Sequence, residues 1–254
     1  MPTHLIDIII TQTVEQDREH NRKLLKFLAS ENFRPSFMHL IGLEVNPDVS
    51  SDLCRILTSL RCLTIDRCTL PRGRNAKVKK ISSNFRALIM SNCEASMLDW
   101  IVGGAPLVKL ELNKIAGLGT WRGWTQFHNI QSLSVEQCEL NEAFYSMLAR
   151  NQDCLVHLSL TKVFSDRDKV EMFWKLFTRL RFARLATLVI GYSKLFPAKE
   201  AFLLEISKVC PSLQQFQDAN LCLQQMLLPQ DDFAKVRRHL QSSKRGYCEI
   251  FAPA

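Results

Sequence analysis

The sequence predicts an α/β repeat fold: short parallel strands, alternating with helices or loops, stacked over one continuous apolar core. Three observations predict it. Residues 130–140, IQSLSVEQCEL, set Ile130, Leu133, Val135, Cys138 and Leu140 at steps of three, two, three and two. That spacing is neither the alternation of a lone strand nor the rhythm of a helix. The same five slots return at 60–70 (LRCLTIDRCTL) and 85–95 (FRALIMSNCEA), each with a cysteine fourth. Between such phrases lie stretches with helical spacing, such as NEAFYSMLARNQDC after residue 140.

In chain order, residues 1–10 fit a strand on Leu5, Ile8 and Ile10, and 15–30 a helix bearing Leu24, Leu25, Phe27 and Leu28. The phrase LIGLEVNPDVS at 40–50 puts Leu40, Leu43 and Val45 in slots one to three. After the copies at 60 and 85, LVKLELNKIAG at 107–117 replaces the cysteine by Ile115. Its continuation, GLGTWRGWTQFHN, has three glycines and no helical pattern, and predicts an irregular loop. The copy at 130 leads into a helix capped by Asn141, with Phe144, Met147 and Leu148 as its apolar stripe. LVHLSLTKVFS at 155–165 carries Val163 in slot four, and the following DKVEMFWKLFTRL offers Val170, Phe173, Trp174, Phe177 and Leu180 to a helix. LATLVIGYSKL at 185 and LQQFQDANLCL at 213, the latter with Asp218 in slot three, flank a helix punctuated by Pro197 and Pro211. Last come a helix in DDFAKVRRHLQSS and a short strand in GYCEIF. The eight copies begin at 40, 60, 85, 107, 130, 155, 185 and 213, an average spacing of about 25 residues.

The physical sense of the phrase is that slots two and three share one side of a strand, because alternate strand residues point the same way. Slot one enters the interior before the strand and the later slots re-enter it as the chain turns. A lone unit leaves its apolar side uncovered, so units stack. The phrase resembles the leucine-rich repeat, L-x-x-L-x-L-x-x-N/C-x-L. With cysteine in slot four and irregular unit length, it is most similar to the cysteine-containing class found in F-box/leucine-rich-repeat proteins. The resemblance covers about 190 of the 254 residues. It implies a curved, ribonuclease-inhibitor-like horseshoe of eight or nine irregular repeats forming one continuous domain. Residues 1–39 are then an N-terminal cap, 40–228 the repeats and 229–254 a C-terminal cap. Slot-four cysteines such as Cys68, Cys93 and Cys138 are expected to be structural, laddering against neighbouring turns.

Composition narrows the function classes. The chain is 46% apolar and 23% charged, with no apolar run long enough to span a bilayer, so no membrane partner is expected. Its nine cysteines form no CxxC pair, and MPTHLIDIII has no signal-peptide character, so free thiols in the cytoplasm or nucleus are expected. Metal-ligand spacing, HExxH and GxSxG are all missing, and the six histidines are scattered. GLGTWRG at 117–123 departs from the dinucleotide spacing and has no βαβ context. The sequence therefore points to a non-enzymatic chain needing no cofactor.

Binding residues are sought on the outward strand positions, which line the concave face of such a fold. The candidates are Glu44, Asp66, Glu111, Asn113, Ser134, Glu136, His157, Ser159, Thr161 and Tyr192. The net charge of +8 comes from elsewhere: Arg72, Arg74, Lys77, Lys79 and Lys80 in RGRNAKVKK, KLFTRLRFAR at 175–184, and KVRRHLQSSKR near the end. These segments read first as a solvated face, then as an acidic-protein contact, and last as a nucleic-acid contact. Trp121 and Trp124 have two readings, as a cover for the core or as interface anchors.

The family resemblance implies recruitment of a target protein to a cullin–RING ubiquitin ligase. That role needs an F-box ahead of the repeats, which docks the ligase adaptor. Pro2, Leu5 and Ile9 match its opening L-P-x-E-L-x-x-x-I, yet the continuation TVEQDREHNRK lacks its hydrophobic and Trp-containing pattern. The expectation is a protein-binding scaffold. The alternatives are a ligase-independent adaptor and, less favoured, an RNA-associated scaffold.

Overall fold

Strands form where slots two and three sit. The computed structural model describes residues 7–11, 16–31, 34–57, 60–71, 85–101, 106–163, 167–191, 206, 208–213 and 215–218. The fold is mixed α/β with parallel sheet, and the chain divides into two compact units, Met1–His128 and Asn129–Ala254.

In the first unit, β1 (Asp7–Thr11), β2 (Phe37–Ile41), β3 (Cys62–Asp66), β4 (Ala87–Ser91) and β5 (Lys109–Asn113) pair in sequence order, all parallel. Consecutive strands paired in parallel cannot be joined by a tight hairpin, so each connection must return the chain to the same end of the sheet. The register sets Met38, Leu63, Leu88 and Leu110 side by side, then Leu40, Ile65, Met90 and Leu112 two residues on. All eight side chains are buried. Each full burial of this kind contributes about 1.5–3 kcal/mol, so the two rows are the spine of this unit's core.

This register corrects one expectation. The first repeat copy does not begin at Leu40; it begins at Pro35, with Met38 and Leu40 in slots two and three and Leu43 beside the slot-four Cys68. The steps three, two, three, two overlay themselves when shifted by five, so Leu40, Leu43 and Val45 match either phase. The five-residue shift makes the first two spacings equal, at 25 residues each. Downstream, Asn46 closes the matter. Its Oδ1 accepts the Val49 N–H at 3.0 Å and caps α2 (Pro47–Ile56), with Pro47 opening the helix and Asp48 in its first turn.

The same junction recurs after most strands. Arg67, Asn92 and Lys114 adopt left-handed backbone, at φ of 52° to 53°, and Gly42 does so at 68°. The residue before slot four must reverse the chain, and that geometry costs about 1–2 kcal/mol for a side chain other than glycine. The cost is offset by a ladder: the N–H groups of Gly42, Arg67 and Asn92 each donate to the carbonyl that ends the following strand, Asp66, Ser91 and Asn113, at 2.8–3.1 Å.

Helix α1 (Gln16–Ser30) buries Asn21, Leu25 and Leu28, while Phe27 is exposed rather than part of the apolar stripe, because it sits two residues from Leu25 on a helix. Helix α3 (Ser96–Ile101) is tied back to α2 by the Trp100 indole N–H, which donates to Ser50 Oγ at 3.2 Å. After β5 comes the expected irregular segment, a turn at 117–120 and a short 3-10 helix, Gly123–Gln126. There Trp121, Trp124 and Phe127 pack as a buried cluster with ring centroids 5.4–5.9 Å apart. Both tryptophans therefore cover core.

The second unit holds β6 (Ser132–Glu136), α4 (Glu142–Asn151), β7 (His157–Thr161), α5 (Arg167–Phe177), β8 (Thr187–Gly191) and β9 (Gln215–Asp218), its strands again parallel in sequence order. Asn141 caps α4 by accepting the Phe144 N–H at 3.2 Å, and Phe144, Met147 and Leu148 are buried as the spacing predicts. Gln137 and Lys162 repeat the left-handed junction, at φ of 52° and 55°. Phe173, Trp174, Phe177 and Phe182 pack ring against ring over the outside of this sheet. Between 197 and 211 the described residues show helix at Ile206 and at 208–209, ending before Pro211. The start of that helix, and the helix and strand read in 231–251, lie outside the described residues. Among the described residues, no helix is long and apolar enough to cross a membrane.

Candidate interaction face

Strands β2 to β7 each show one buried side and one more exposed side, so the outward residues fall into three rows across a unit. In the first unit, one row is Phe37, Cys62, Ala87 and Lys109; the middle row is His39, Thr64, Ile89 and Glu111; the third is Ile41, Asp66, Ser91 and Asn113. Predicted residues Asp66, Glu111 and Asn113 are thus on one face. Glu44 is not. It forms an isolated bridge with Thr69 beyond the strand, and His39 takes the place assigned to it. Phe37, 42% exposed, and Ile41 were missed through the same phase error. The signal that locates them is Asn46-Pro47-Asp48, a helix start that ends any strand through 43–45.

The face is charged and internally paired. Lys109 Nζ lies 2.8 Å from Glu111 Oε1. Partial burial works against ionising Asp66, but the Asn92 amide at 2.7 Å and the Arg67 guanidinium at 2.9 Å outweigh it. With His39 adding to the effect, the carboxyl is held below its ordinary value. Asp66 thereby orients two of the left-handed residues. Asn113 Oδ1 is buried with no hydrogen-bond partner.

In the second unit, β6, β7 and β8 bring together Ser132, His157 and Thr187, then Ser134, Ser159 and Val189, then Glu136, Thr161 and Gly191. All five predicted residues here, Ser134, Glu136, His157, Ser159 and Thr161, share the face. It is small and hydroxyl-rich where the first unit's is bulky and charged. Gly191 has no room for a Cβ, which would overlap the Thr161 methyl. Tyr192 and the basic residues Arg72, Arg74, Lys77, Lys79 and Lys80 lie outside the described residues.

Beneath these faces the slot-four thiols are built into the scaffold. Cys68, Cys93 and Cys138 are buried, and each donates its S–H to the carbonyl two residues back, at 3.5, 3.0 and 3.1 Å. Cys68 Sγ also accepts the Leu43 N–H, and the Cys68 N–H bonds to Cys93 in turn. Burial pushes the Cys68 and Cys210 thiols up to about 12 and Cys93 up to about 11, the opposite of an activated nucleophile. The half-exposed Cys62 and Cys154 are raised as well, again chiefly by burial. Among the described residues, no group of three or more His, Cys, Asp and Glu side chains could hold a metal ion.

These raised thiols predict alkaline destabilisation. Below about pH 9 they are protonated in both folded and unfolded chains and give no pH dependence. Above it the unfolded chain ionises first, so stability falls with each of Cys68, Cys93 and Cys210 contributing about 1.4 kcal/mol per pH unit until the folded thiols ionise. Thermal midpoints measured from pH 7 to 10.5 should therefore fall more steeply for the native chain than for the Cys68→Ala/Cys93→Ala variant. Parallel curves would show that these thiols are not buried.

No protein-family model matches the sequence, and neither a curated protein nor a solved structure matches it.

Proposed function

We propose that the chain is a leucine-rich-repeat solenoid of the cysteine-containing class, serving as a non-enzymatic scaffold that binds a protein partner on the half-exposed strand faces. The observation that carries this reading is the division of labour along strands β2 to β7. Alternate residues build the core, and the others present side chains the fold does not require. The in-register ladder, the repeated left-handed junction and the buried slot-four thiols support the repeat class. Asn113, half-exposed in the third row, adds a side-chain amide to the polar groups of the first unit's face. Phe37 and Ile89 supply the apolar contacts such a partner buries.

Within that reading, the resemblance to F-box/leucine-rich-repeat proteins makes substrate recognition for a cullin-type ligase the first role and ligase-independent assembly the second. The in-register pairing of β1 with β2 favours residues 1–39 as a capping unit over an adaptor-docking F-box.

A native pull-down of the tagged chain, read by mass spectrometry, tests both levels. Proteins captured by the native chain and lost from a Phe37→Asp/Ile89→Asp variant of unchanged thermal midpoint are the expected result. Capture unaffected by those substitutions sinks the face assignment. Near-stoichiometric cullin and adaptor among the captured proteins assign the ligase role; their absence leaves the adaptor role.

A further inference from the structure

The outside of the second unit carries a feature that the strand-face reading does not use. Between residues 175 and 184 the chain places Lys175, Arg179, Arg181 and Arg184 with no carboxylate among them, and all four are exposed. None makes an ion pair among the described residues. The Arg181 N–H donates to Gln152 Oε1 at 3.1 Å, which ties this segment beside the end of α4, whose last turn carries the exposed Arg150. Opposing charges near the segment are Asp153, which acts on the Cys154 thiol in the sense opposite to Arg184, and the exposed Glu171 on α5, four residues before Lys175.

Cations commonly gather at helix C-termini to meet the dipole, and Lys175 in the last turn of α5 does so. Arg181 and Arg184 are not explained that way. They lie four and seven residues past Phe177, where α5 ends, and the dipole's influence fades within the last turn. On α5 itself Met172 is 40% exposed and sits three residues before Lys175, on the same face of the helix.

We propose that this surface docks an acidic polypeptide segment, its carboxylates paired by Arg179, Arg181 and Arg184 and an apolar side chain resting on Met172. Guanidinium groups match carboxylates in bidentate fashion, and arginine outnumbers lysine here. Single-stranded nucleic acid is disfavoured because Phe173, Trp174, Phe177 and Phe182 are all buried and leave no ring for a base to stack on. A membrane surface is disfavoured because Met172 alone offers too little apolar area to insert.

The test is fluorescence anisotropy with the full chain and a labelled peptide rich in Asp and Glu and carrying two leucines. The comparisons are a peptide with serine for every acid, a single-stranded RNA and a DNA duplex of matched charge. The expected result is saturable binding of the acidic peptide that weakens about tenfold or more between 50 and 200 mM salt. Arg179→Glu/Arg181→Glu/Arg184→Glu should abolish it, the corresponding triple glutamine variant should weaken it, and Met172→Ser should weaken it without changing the salt slope. Circular dichroism establishes that each variant folds. Affinity within twofold of native for the triple charge reversal overturns the proposal. So does RNA or DNA binding tighter than the acidic peptide, which would assign the surface to phosphates. Because Phe37 and Ile89 are untouched, loss here and loss in the pull-down are separate outcomes.

Discussion

Asn151→Leu should destabilise the protein by about 3 kcal/mol, the larger part of it from one buried backbone group left without a partner. Asn151 ends α4 and is fully buried. Its Oδ1 accepts the N–H of Ile130 at 2.8 Å, and its Nδ2 donates to the Met147 carbonyl at 2.8 Å. Its own carbonyl accepts the N–H groups of Cys154 and Leu155 at 3.1 and 2.9 Å. One side chain therefore closes the unit, joining the residue that enters β6 to the helix that leaves it and positioning the entry to β7. Leucine keeps the branched shape with bulkier methyl groups and cannot bond the Ile130 N–H. Asn151→Asp should also destabilise, because a carboxylate would face the Met147 carbonyl. Urea unfolding of Asn151→Leu, beside Glu142→Ala as an exposed control expected within about 0.5 kcal/mol, measures the effect. A loss below about 1 kcal/mol would mean that the Ile130 N–H finds another partner.

Gly123→Ala should cost about 3 kcal/mol despite adding one methyl group. The added Cβ would overlap the edge of the Trp121 indole at Cζ2 and Cε2 and crowd the Gln126 amide nitrogen. The indole cannot swing aside without loss: its N–H donates to Asp99 Oδ1 at 2.9 Å, and its ring packs edge-on against Trp124. The remedy is specific. Trp121→Leu in the Gly123→Ala background should recover about 1 kcal/mol or more relative to the additive expectation, because the clash disappears with the ring. A double-mutant cycle on thermal or urea midpoints reads that coupling. Additivity would place the strain elsewhere than between these two residues.

Residues 107–128 show how far a sequence carries. Three glycines and no helical period were enough to predict an irregular connection, and the turn and 3-10 helix there agree. Whether Trp121 and Trp124 cover core or face a partner was not decidable from them, since either role uses the same residue type. The Asp99 hydrogen bond and the packing of Phe127 decided it.

The first unit's face shows a different limit. Hydrophobic spacing places buried residues well and phase poorly when the spacing overlays itself. Leu40, Leu43 and Val45 are all buried, yet reading them as slots one to three moved the outward position from His39 to Glu44. Strand pairing removes the ambiguity because it fixes Leu40 between Ile10 of β1 and Ile65 of β3. From α4 the sequence was legible in detail, since the Asn141 cap and its apolar stripe are local features.

The sequence alone determined that strands and helices alternate, that slots two and three are buried, and that the slot-four cysteines face inward; these depend on the short-range periodicity of side-chain direction. Tertiary structure alone decided which copy begins where, which left-handed residues the junctions impose on Arg67, Lys114, Gln137 and Lys162, and which cations stand without partners. The physical reason is that register, backbone strain and ion pairing are settled by neighbouring strands and helices some 25 residues away in sequence, beyond the reach of any local pattern.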